Sequence, residues 1–273
     1  MDRVRAVRLE IEYDGAGFRG WAAQPGMRTV QAELEAALAT VLREPVTLTV
    51  AGRTDAGVHA WGQVASFETA AEVPVDLVRR LNGLGPADIS VLRAGPAPEG
   101  FDARRDARSR TYCYRVLNRR EPSPFEAGRA LWWPHRIDLG AMRECAAALL
   151  GAHDFTAFTP TQSDHVRFER DVSWAEWVQS AYRPSIPGGE GEPGSAQPLG
   201  AVGSDESGEV LCFWVRADAF MHNMVRILVG TMLEVGGARR SAGEFAALLG
   251  GAPRERAGET VAAHGLYLAS VAY

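Results

Sequence analysis

The sequence contains no lysine: all 29 basic residues are arginine, set against 34 acidic residues and a net charge of −5. A net negative total does not by itself mark a nucleic-acid binder, and a GC-rich coding bias is enough to explain arginine replacing lysine. Cysteine is nearly as scarce. Cys113, Cys145 and Cys212 are far apart, with no CxxC spacing, which excludes a disulfide framework or a thiolate zinc site and suits buried apolar thiols in a reducing compartment. Six scattered histidines add no zinc pattern. No run reaches the roughly 18 consecutive apolar residues of a membrane helix, and the N-terminal stretch lacks the apolar core of a signal peptide. Gly15-Ala-Gly-Phe-Arg-Gly20 has GxGxxG spacing, but no helix pattern opens on it, and GxxxxGK[ST] and GxSxG elements are missing, so neither a nucleotide cofactor nor a serine nucleophile elbow is indicated. The expectation is a cytoplasmic protein with no metal and no cofactor.

What is present reads as ordinary globular composition, 46% hydrophobic and 23% charged over 273 residues, enough for one large or two medium domains. Residues 4–13 alternate like a strand that Asp14-Gly15 ends. Residues 29–42 carry apolar side chains at helical spacing, with Thr29 as N-cap. Strands near 46–51 and 62–68, a helix over 75–84 and a strand over 89–94 complete a β-α-β-β-α-β order. The order then recurs: a strand over 110–117, a helix over 139–150, strands at about 167–179 and 209–217, a helix over 223–236, a short helix over 242–249 and a strand over 266–271. The fold class predicted is α+β, with two ferredoxin-like βαββαβ halves, residues 1–106 and 107–273, joined into one mainly antiparallel sheet flanked by helices with a cleft between them. The Pro/Gly/Ser/Glu-rich stretch 183–208 reads as a flexible excursion from a hairpin.

The loop Ala51-Gly-Arg-Thr-Asp-Ala-Gly-Val-His-Ala60 lies between two strand patterns and is expected to be pinned by Gly52 and Gly57. It presents Asp55 with Arg53 two residues away, and a guanidinium beside a carboxylate favours the ionised form, available as nucleophile or base. The alternative is an Asp that only stabilises its own turn. Seven arginines fall within residues 104–120; such a cluster is either a solvated face or an electrostatic footprint for a polyanion. Tyr112, on the strand that opens the second half, lies on one face with Tyr114 and could stack on a base. Arg226 enters an otherwise apolar helix, so it pairs with a carboxylate or meets a phosphate. One carboxylate among arginines and aromatics suits chemistry on RNA with an extruded base. A glycosidase would show two acids in comparable settings, and a binding module would not need an Asp in a glycine-flanked loop.

These residues resemble the bacterial tRNA pseudouridine synthases of the TruA class: Tyr13-Asp14-Gly15 with Phe18, Gly20 and Trp21; Thr29-Val30-Gln31; the run Gly52 to His59; Arg110-Thr-Tyr112-Cys-Tyr114; Asp154-Phe155-Thr156; Met224-Val225-Arg226; and Gly265 to Leu268. The resemblance implies isomerisation of uridine to pseudouridine at tRNA positions 38, 39 and 40 in the anticodon stem-loop, by a homodimer without cofactor or metal. It places Asp55 on the nucleophile and Tyr112 on the aromatic beneath the target base. Arg53 falls on a basic partner near the flipped nucleotide, and Arg226 and Leu266 on pocket positions. Phe101, Arg104, Arg105, Arg108, Arg110 and Arg170 fall on RNA contacts. The stretch 159–168, Ala22-Ala23 after the tryptophan and Ile227 after Arg226 depart from the family's usual pattern.

Overall fold

The structure, a computed structural model, describes residues 5–162, 166–181 and 209–273. Strand β1 (Arg5–Tyr13) buries Val7, Leu9, Ile11 and Tyr13 and leaves the intervening side chains wetter, which is the alternation the pleat demands. Helix α1 (Val30–Leu42) starts at Thr29, whose side chain accepts from the Ala32 N–H. After β2 (Thr49–Val50) and β3 (His59–Thr69), helix α2 (Leu77–Leu84) leads to β4 (Ile89–Pro96). The second half consists of β5 (Ser109–Asn118), β6 (Leu131–Trp132), α3 (Leu139–Ala148), β7 (Gly151–Asp154), β8 (Glu169–Ala181), β9 (Glu209–Ala217), α4 (Met224–Gly236), α5 (Ala242–Ala247) and β10 (Leu266–Ala272). The expected insertion at 183–208 lies outside the described residues.

All ten strands form one sheet in the order β4-β1-β3-β10-β5-β9-β8-β7, with β2 beside β3 and β6 beside β5. The first half thus runs β4-β1-β3-β2 and the second β10-β5-β9-β8, the same order of first, second, third and fourth strand. Among the strands of the described residues two joins break the antiparallel rule: β5 with β6, and β3 with β10, where Tyr267 pairs with His59 and Leu268 with Ala60. That second join fuses the halves. It also starts β3 at His59, three residues earlier than its alternation suggests, because the register is set by β10 and not by local sequence.

Tyr114, Phe213 and Trp177 lie side by side on β5, β9 and β8 and face α4, where the Trp177 indole N–H donates to the Met232 sulfur at 3.1 Å. Tyr112 and Leu268, opposite each other, lie on that same face. The other face carries Trp61 stacked on Tyr267 at 4.2 Å, with Trp214 beside Trp61 and Trp174 stacked on Trp214. None of the helices among the described residues is long and apolar enough to cross a membrane.

Candidate active site

The loop carrying Asp55 is tied down at Ala51, Gly52 and Thr54. The Ala51 N–H bonds to Val64 O at 2.9 Å, and Gln63 Nε2 donates to Gly52 O at 2.7 Å. Thr54 is held twice: its carbonyl accepts from the Trp21 N–H at 2.9 Å, and its hydroxyl lies 2.7 Å from the Tyr13 hydroxyl. Burial pushes the Tyr13 phenol up to about 12, with the Thr54 and Gln63 hydrogen bonds opposing the shift, so it stays protonated. Gly57 has φ +80° and closes the turn as expected; Gly52 does not share that conformation, and an added Cβ there would meet the Tyr112 hydroxyl at an ordinary 3.5 Å. A third glycine matters more than the sequence suggested. Gly20, at φ +93°, packs so closely on Thr54 and Asp55 that an added Cβ would lie 2.8 Å from Thr54 O.

The second half supplies the surroundings of Asp55. His222 Nε2 stands 3.3 Å from Asp55 Oδ1, and both side chains are open to solvent. His222 is the functional neighbour that sequence reasoning passed over, since nothing local distinguishes it from other surface histidines. Arg226 is half-buried; its Nε donates to Val261 O at 2.7 Å and its Nη1 to Asn223 Oδ1 at 2.6 Å. Burial lowers the guanidinium from its ordinary value, and the nearby Asp55 and Tyr114 oppose that. Asp55 is near enough to act on Arg226 electrostatically, but the two form no closed ion pair. Arg53 behaves differently from the expectation. It is exposed and forms no ion pair with Asp55.

Tyr112 is 8% exposed, edge-on to Phe220 at 4.9 Å. Burial, then Tyr13 and Asp55, push its phenol well above the ordinary range against the pull of Arg110. A neutral phenol is a stacking surface and not an ionised base. Leu266 is buried one rung along β10, opposite Tyr114, while Leu268 is the residue opposite Tyr112.

The six expected RNA contacts divide. Arg104, Arg105 and Arg108 are exposed on the turn before β5, where the Asp102 carboxylate accepts from the Arg104 and Arg105 N–H groups and pairs with the Arg105 side chain. Phe101 instead packs against Tyr273, ring centroids 5.1 Å apart. Arg170 is buried, with Nη1 donating to the carbonyls of Arg167 and Glu169. Arg110 is half-buried and directs its guanidinium at backbone carbonyls. In these three the side chain already has partners within the protein. Among the described residues no group of three or more His, Cys, Asp or Glu side chains could hold a metal ion.

Comparison with known proteins shows the family. A family model described as tRNA pseudouridine synthase matches residues 145–273. A tRNA pseudouridine synthase A of Streptomyces griseus is 43% identical, covering 98% of this chain and 87% of the relative. Those of Bacillus pumilus and Bifidobacterium longum are 37% and 40% identical, each over 98% of this chain and over 98% and 93% of the relatives. The chain belongs to the tRNA pseudouridine synthase A family and is an isomerase.

Proposed function

We propose that this enzyme converts uridine to pseudouridine at positions 38, 39 and 40 of the tRNA anticodon stem-loop, with Asp55 as nucleophile acting on a base flipped out of the stem. The observation that carries the reading is the setting of Asp55: a solvent-open carboxylate on a loop fastened by Tyr13, Trp21 and Gln63, facing His222 from the other half. Its relatives are named for pseudouridine synthesis on tRNA. The reaction breaks the N1–C1′ bond, turns the uracil within the site, joins C5 to C1′ and releases the C5 proton, while N1 takes up a proton. Substrate and product are isomers, so the balance closes without an oxidant or reductant. The Asp55 carboxylate drives the first step by attacking C1′ or by removing a sugar proton to give a glycal. Since burial keeps the Tyr112 phenol protonated, we assign Tyr112 to stacking and the C5 proton to the Asp55–His222 pair. Extruding a stem base costs a few kcal/mol, and stacking on an aromatic ring returns about 1–3 kcal/mol. Exposed Arg53, Arg104, Arg105 and Arg108 are the phosphate contacts of this reading.

A second copy of the chain is proposed to cover the sheet face opposite α4, in keeping with the homodimer implied by the family resemblance. Trp61 is 40% exposed there, continuous with Tyr267, Trp214 and Trp174, and soluble monomers seldom leave such an apolar patch open.

The test is tritium release from tRNA transcripts labelled at uridine C5, with wild type and Asp55→Ala compared. Release from the anticodon arm by wild type alone, with tRNA binding retained in the variant, is the expected outcome. Equal loss of binding and turnover in Asp55→Ala would remove Asp55 from the nucleophile role.

A further inference from the structure

Arg110 stands at the start of β5, just after Arg104, Arg105 and Arg108, which are exposed. Its own side chain is half-buried. Nε donates to Ala51 O at 3.2 Å; Nη1 donates to Ala107 O at 3.1 Å and Asp218 O at 2.9 Å; Nη2 donates to Ala51 O at 2.8 Å and Arg104 O at 2.8 Å. A guanidinium has five N–H donors, and here all five end on backbone carbonyls. None is left for a phosphate.

The four carbonyl groups belong to three separate segments, each carrying a residue of the site. Ala51 opens the loop that bears Asp55, and its own N–H is fixed to β3 through Val64 O. Arg104 and Ala107 form the turn that displays Arg104, Arg105 and Arg108 to solvent. Asp218 ends β9 and begins the short connection to His222, whose ring faces Asp55. No other side chain among the described residues joins these three segments by hydrogen bonds. We infer that Arg110 is a positioning residue, one that sets the Asp55 loop, the RNA-facing turn and the His222 connection in fixed relation, and that it does not contact RNA phosphate. The inference rests on the reading of Asp55 as nucleophile. The fork geometry is what the role requires: a lysine ammonium keeps the charge but offers three donors from one point, so it cannot reach carbonyls arranged around a plane.

The two roles make opposite predictions for Arg110→Lys. A phosphate contact survives the exchange in large part, because lysine binds phosphate as a point charge. A positioning fork does not. We expect Arg110→Lys to lower kcat by roughly 10- to 100-fold, the scale for a catalytic group displaced by about an ångström. KM for tRNA should stay within about threefold, and the slope of log affinity against log salt should not change. Arg104→Ala, assayed beside it, should weaken tRNA affinity and make the salt slope shallower by about one. Wild-type turnover in Arg110→Lys, or a salt slope reduced by about one in that variant, would overturn the inference. Thermal unfolding of the variant establishes that it folds; if it does not, Arg110→Gln, with a planar amide of two donors, takes its place under the same criteria. Asp55→Ala is run in the same series. Turnover surviving there sinks the nucleophile reading independently of the outcome at Arg110.

Discussion

The hydroxyl shared between Tyr13 and Thr54 gives the sharpest handle on how the Asp55 loop is held. Tyr13 is 5% exposed and Thr54 is 7% exposed, so neither oxygen can turn to water for a substitute partner. Tyr13→Phe removes the phenolic oxygen at almost constant ring volume. Gln63 Nε2 loses a long 3.4 Å contact but keeps Gly52 O at 2.7 Å, so the consequence falls on the Thr54 hydroxyl alone. One orphaned buried hydroxyl costs about 1–3 kcal/mol. For a chain of this size each kcal/mol lowers Tm by about 2–4 °C, so the melt should shift down by roughly 2–12 °C. Thr54→Val deletes the other member with matching shape. The double variant, with both oxygens gone, should be more stable than the sum of the singles implies, by a coupling of about 0.5–3 kcal/mol. Because Thr54 precedes Asp55, kcat should fall in Tyr13→Phe as well, with tRNA affinity nearly unchanged. The measurement is thermal unfolding of wild type, both singles and the double in one buffer. An unchanged Tm in Tyr13→Phe, or strictly additive losses, would refute the idea that this hydrogen bond fastens the loop.

His59 links stability to pH with a sign that can be worked out. Its Nδ1 accepts from the Gly15 N–H at 3.0 Å and its Nε2 faces the carbonyls of Gly128 and His264, the pattern of a neutral ring with its proton on Nε2. Burial lowers its pKa from the ordinary value, although Asp14 and the two carbonyls oppose this. Below about pH 6.5 the unfolded chain therefore binds a proton that the folded chain resists, and stability present above that pH is lost as pH falls. Tm should drop between about pH 7.5 and 5.5, and His59→Gln should flatten the drop, with the remainder due to His264, whose pKa is likewise lowered by burial. A variant with the wild-type slope would rule out His59 as the source. For the sheet face opposite α4, Trp61→Arg should convert a dimer to a monomer in sedimentation velocity; a monomeric wild type, or a variant still dimeric, would discard that interface.

The two βαββαβ halves were legible because their long elements carry strong periods: alternation along β1 and β5, and the 3.6-residue repeat of α1 and α4. The pieces that escaped have no period to show. β6 is two residues and β7 four, and each exists because a neighbouring strand offers an edge. In the proposed site, Asp55 was singled out by its glycine-flanked loop and Tyr112 by strand alternation, both local signals. Arg53 misled for a physical reason: two residues apart in an irregular loop fixes separation along the chain and says nothing of side-chain direction. The carboxylate's neighbours, His222 and Arg226, arrive instead from the far half through the β3–β10 join. Arg110 shows the same limit. Every residue has a carbonyl, so no sequence pattern marks the few that converge on one guanidinium. An arginine in a basic run can face phosphate or hold backbone, and the two roles call for the same residue type at the same position. Only the surrounding oxygens distinguish them, and at Arg110 they belong to the protein itself.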